Sequence, residues 1–98
     1  NIPIVEQAVA SKISNSKVLI SWNVKGTLKK IDHFIVILEV LGIRSVVGKS
    51  HALGNTNHFR FLDNLTNNEK GGLTYIIIPV YQDQGRGAEV KTNTVVVE

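Results

Sequence analysis

Three histidines, His33, His51 and His58, are the residues of this chain best suited to proton transfer or metal binding. Their spacing favours neither. His33 falls inside a predicted strand, and His51 and His58 flank a polar stretch with no acidic residue between them, a poor arrangement for a metal site. The eight acidic residues are spread singly, and no pair is placed for general acid–base work. Asp32 adjoins His33, but consecutive strand residues point to opposite faces, so no relay is expected there. Cysteine is absent, which removes thiol nucleophiles, thiolate ligands and disulfides together. Gly71-Gly72 and Gly85-Arg86-Gly87 precede no helix start and so do not cradle a phosphate. Neither catalysis nor a bound metal or cofactor is expected.

Two features point to modification or recognition instead. Asn64-Leu65-Thr66 is an N-glycosylation sequon in a predicted turn, which makes Asn64 a candidate glycoprotein site. Lys25, Lys29 and Lys30 form the densest basic group, suited to sulfated glycan or an acidic protein surface. The other cations scatter without interleaved aromatics, so nucleic acid is not an expected partner. No apolar run approaches the roughly 20 residues of a membrane helix, and direct membrane insertion is not expected. The first residues, Asn1 to Glu6, lack an initiator Met and a secretory signal pattern, and the chain reads as a segment of a longer protein.

The elements that must position these groups are strands. Ninety-eight residues fit one domain, 1–98, able to bury a single core. From 17 to 22 the chain alternates, with Val18, Ile20 and Trp22 on one side. Further strand segments are predicted at 31–40, 44–47, 58–62, 73–81 and 90–97, with a weaker first one at 4–9. Gly26, Gly42, the Gly54-Asn55 pair, the Asn-rich stretch 64–72 and the glycines at 85 and 87 mark the turns between them. The pattern is all-β and predicts a seven-stranded Greek-key immunoglobulin-like β-sandwich.

Several residues fall into an ordered pattern across the whole chain. These are Pro3 near the start, Trp22 ending the second strand, and Phe34, Val36 and Leu38 alternating in the third. Leu65 opens a turn before Tyr75 in the sixth strand, and Gly85-Arg86-Gly87 forms a hairpin before the last. The set resembles the fibronectin type III domain. The resemblance implies a core of Trp22, Phe34, Val36, Leu65, Tyr75 and Ile77, with the Tyr75 hydroxyl bonded back to the turn before its strand as a tyrosine corner. Some members of that family carry Arg-Gly-Asp in the last hairpin; here Ala88 follows Gly87, and the glycines there are expected to serve positive φ. Phe59 and Phe61 fit the alternation of the fifth strand, whereas Leu62 stands where the family places a core residue, which a bulge would reconcile. The resemblance further implies an extracellular or cell-surface setting, although intracellular modular proteins use such domains too.

With Phe34, Val36, Leu38, Tyr75 and Ile77 inward, residues Ile35, Ile37, Ile76, Ile78 and Val80 all point outward from the same sheet. A wet face should be polar at those positions. The expectation is therefore an apolar stripe, extended by Val46 or Val47, that binds protein: a partner, a neighbouring domain of the same chain or a second copy. The function expected is a non-catalytic interaction or adhesion module of a larger protein. The alternatives are a passive spacer, or a glycan- or heparin-binding accessory domain using the basic 25–30 loop.

Overall fold

The computed structural model describes residues 2–54 and 56–98, with the Lys29 side chain outside that description. The turn expected at Gly54-Asn55 includes Asn55, which likewise lies outside the described residues. Seven strands follow in order: β1 (Ile4–Ser14), β2 (Lys17–Lys25), β3 (Ile31–Val40), β4 (Ile43–His51), β5 (His58–Asn64), β6 (Gly71–Tyr81) and β7 (Val90–Val97). A single 3₁₀ turn, Leu28–Lys30, leads into β3. All pairings are antiparallel, in a three-stranded sheet ordered β1-β2-β5 and a four-stranded sheet ordered β4-β3-β6-β7.

The strands are longer than their sequence signals. β1 runs on to Ser14 through two register shifts, and β4 continues to His51 through a stretch whose glycine and polar residues suggest a loop. Cross-strand pairing overrides weak local propensity in both.

Alternation dictates the core. Val18, Ile20, Trp22 and Val24 of β2 are buried, while the residues between them are not. They meet Phe34, Val36, Leu38, Tyr75 and Ile77 of the facing sheet in one cluster, with half-buried Leu65 packed at its margin. Trp22 meets Phe34 edge-on at 5.3 Å between ring centres and stacks with Phe59 at 6.1 Å. Such pairs add to plain burial because ring edges and faces carry opposite partial charge. The Trp22 Nε1 donor is buried without a hydrogen-bond partner among the described residues. Phe59 and Phe61 face inward and Leu62 outward, with no break in the β2–β5 register, so no bulge is needed to place them.

The two seams between the sheets are closed differently. At one, the Asn93 side chain of β7 takes the place of a missing strand: its Oδ1 accepts from Ala10 N at 2.8 Å and its Nδ2 donates to Ala10 O at 2.9 Å. At the other, β4 carries Gly48 against the Phe61 ring, where an added Cβ would fall 2.5 Å from a ring carbon. Only glycine admits that approach.

Candidate functional site

The expected stripe occupies the outer face of the four-stranded sheet. Ile35, Ile76, Ile78 and Val80 form a second cluster, separate from the main core, with Ile37 packed at its edge. The stripe is not open to solvent, contrary to the expectation from alternation. Ile76 is fully buried, and Ile35, Ile78 and Val80 are nearly so.

A network of charged side chains runs across the same face. Arg44, on edge strand β4, donates from Nε to Glu39 of β3 at 3.0 Å. Its Nη1 and Nη2 reach the two oxygens of Glu89 at 3.1 Å each. Glu89 immediately precedes β7, so this side chain spans the sheet from one edge to the other. Lys91 of β7 completes the network on the other Glu39 oxygen at 3.5 Å. Planar guanidinium suits this two-pronged contact, and an aliphatic stem of this length lies readily along apolar surface. The Arg44 hydrogen bond holds the Glu39 carboxyl below its usual range, and Glu89 with Glu39 raises Arg44 further. Sequence separation hid the network: Arg44 and Glu89 are adjacent only after the sheet is assembled.

The stripe breaks the surface at one side. Ile37 pairs with Val46 of β4, which is 65% exposed. Val47, the other residue expected to extend the stripe, turns instead toward the main core. Beyond Val46 the β3–β4 hairpin carries Ile43, 75% exposed, and Leu41, 96% exposed at its tip. Leu41 and Gly42 both hold positive φ, 52° and 78°, in a two-residue turn. That conformation is strained for leucine and natural for glycine or asparagine.

The histidine that meets another is His33, which the sequence left alone inside its strand. His51 and His58 lie in different sheets, whereas His33 and His51 face each other across β3 and β4 with ring centres 6.3 Å apart. Asp32 does not stand on the opposite face: its Oδ2 lies 2.7 Å from His33 Nδ1. A register shift between Ile31 and His33 gives β3 an extra residue there and turns the two side chains together. Among the described residues no group of three or more His, Cys, Asp or Glu could hold a metal ion.

The remaining expected sites lie apart. Asn64 is exposed at the end of β5. Lys25 and Lys30 are exposed, and the Lys29 side chain lies outside the described residues. Lys30 borders a shallow depression shared with Ile2, Pro3, Tyr81, Gln82 and Asp83.

Tyr75 departs from the expected corner. Its hydroxyl donates to the Asp63 carboxylate of β5 at 2.7 Å, not to the backbone of the turn. Burial pushes the Asp63 carboxyl above its usual range, Tyr75 opposing and Glu69 adding to the rise. Burial and the Asp63 partner together drive the Tyr75 phenol well above its ordinary value. The glycines at 85 and 87 also serve a different end. Gln84 takes the positive φ of that turn, at 71°, whereas Gly87 makes room for Tyr81: a Cβ would lie 2.3 Å from its hydroxyl oxygen. That hydroxyl in turn donates to Pro3 O at 2.9 Å.

Neither a scan against models of known protein families nor a search of the curated proteins finds a match to this chain.

Proposed function

We propose that this chain is a non-catalytic protein-interaction module of fibronectin type III topology. Support for the topology comes from the strand order, β1-β2-β5 against β4-β3-β6-β7, together with buried Trp22, Phe34 and Tyr75 in the positions that the resemblance assigns them. The first and last described residues stand at opposite poles of a body 41 Å long, since Pro3 is tied to Tyr81 and Glu98 to Asn15. That arrangement suits a module in a series, and the setting proposed is extracellular or at the cell surface.

The contact surface is the β4 side of the four-stranded sheet rather than its middle. The observation that carries this reading is exposed apolar Ile43 and Val46 on the two faces of free edge strand β4, with exposed Leu41 in the turn before it. Long apolar side chains on an unpaired edge invite association unless something covers them. The buried isoleucine cluster next to Val46 makes a rigid backing there, which keeps the entropy lost on contact low.

Sedimentation of the isolated domain across concentration tests this reading, for wild type and for an Ile43→Lys, Val46→Lys variant. Association in wild type that disappears in the variant supports it. Identical behaviour of the two proteins, or association that survives in the variant, places the contact elsewhere and leaves a spacer role.

A further inference from the structure

Two irregularities of the four-stranded sheet converge on one corner. The tight turn at Leu41-Gly42 sets the β3–β4 register so that Val40 faces Ile43 and Ile37 faces Val46. Past that point Val36 faces Gly48, because Val47 is an extra residue on β4. Without it His33 would face Ser50; with it His33 faces His51, and both rings belong to the outer face. The second irregularity, at the start of β3, places Asp32 against the same His33. Bulges often serve to re-aim side chains at a site, and here both deliver nitrogen and oxygen ligands or their supports to one place.

We infer that His33 and His51 form a binding site for a divalent transition metal of the zinc or nickel class, with Asp32 as the outer support. Imidazole nitrogen suits these ions, which bind it at about 2.0–2.1 Å. Two imidazoles on one such ion hold their ring centres about 5–6 Å apart at those bond lengths. The present separation is 6.3 Å with the rings tilted by 60°, so sharing an ion requires the exposed His51 ring to turn toward His33. His33 is the fixed half: its side chain is only 12% exposed, and Asp32 bonds Nδ1. A carboxylate on Nδ1 keeps the proton there and leaves Nε2 free to coordinate, the outer-shell arrangement common among metal-bound histidines. Two protein ligands hold an ion weakly, so the remaining coordination positions stay open to water or to a donor from another molecule. Lys49, on the same strand as His51, is the nearest cation in sequence and adds no ligand.

The test is a titration of the whole chain with zinc chloride in chelator-free buffer, followed by NMR of the histidine ring nitrogens and by calorimetry. One equivalent of zinc should shift the His33 and His51 rings and leave His58, in the other sheet, unmoved. His51→Ala, at an exposed edge position that should not disturb folding, should weaken binding at least tenfold. Asp32→Asn should weaken it about tenfold, as loss of an outer-shell partner does, while His58→Ala leaves it intact. Rings of His33 and His51 that stay unmoved at excess zinc would overturn the inference. So would His51→Ala binding as tightly as wild type.

Discussion

The four-stranded sheet buries apolar residues on both faces, but by different means. Its inner face meets a second sheet, and Phe34, Val36, Leu38, Tyr75 and Ile77 disappear into close packing with Trp22 and Phe59. Its outer face meets no second sheet among the described residues, and the Arg44, Glu89, Glu39 and Lys91 network runs across the same face as Ile35, Ile76, Ile78 and Val80. One cover is close-packed and dry; the other is charged, hydrated on its solvent side and weakened by salt. A single sheet thus shows that burial alone does not reveal what does the burying.

The largest effect should come from the inner face. Trp22→Ala should lower unfolding stability by about 3–5 kcal/mol in denaturant titration, because the rings around it cannot collapse into the space. Next comes the outer face. Ile76→Ala should cost about 2–4 kcal/mol, a core-sized penalty at a position that alternation assigns to solvent. A loss under about 0.5 kcal/mol, the ordinary surface value, would mean that the charged cover is open in solution and would break the comparison.

The two faces should also answer acid in opposite directions. Asp63 has a raised folded-state pKa, so the folded protein binds its proton more readily than the unfolded chain. Stability from this group therefore rises as pH falls through the raised value toward the ordinary carboxylate range. Glu39 has a lowered pKa, so its contribution is present above the ordinary carboxylate range and fades as pH falls below it. Asp63→Asn should remove the gain on mild acidification and leave the later loss; Glu39→Gln should do the reverse. Thermal melts between neutral pH and the carboxylate range decide this, and parallel curves for the two variants would contradict it. The smallest effect belongs to the rim: Val46→Ser should leave stability within about 0.5 kcal/mol, while Leu41→Asn, which tolerates positive φ, should stabilise the hairpin slightly.

Much of this architecture was legible in the chain. Strict alternation around Trp22, and the Phe34–Val36–Leu38 series, gave the inward residues directly, because strand side chains repeat every second position. The same rule put the isoleucines on the outer face. What alternation could not supply was the third dimension. Arg44 and Glu89 stand 45 residues apart and meet only across two intervening strands. Nor could it locate the extra residues at Asp32 and Val47, since nothing in their side chains marks them as bulges. The extra residue at Val47 sets His33 opposite His51, a meeting that sequence spacing gave no sign of, and the one at Asp32 brings its carboxylate to the same ring. The tyrosine corner failed for a related reason: the nearest acceptor for Tyr75 proved to be a carboxylate from β5, whose approach depends on how the sheets close.

The amide bridge between Asn93 and Ala10 bears on force. β1 begins at the Pro3 pole and β7 ends at the Glu98 pole, so tension applied through the two ends loads these strands in shear. The paired bonds of Asn93 lie across that line of traction, and they must break together before β1 can slide away from β7. Together with the Glu98–Asn15 bond at the end of the same seam, this side chain resists the first slip of a stretched molecule.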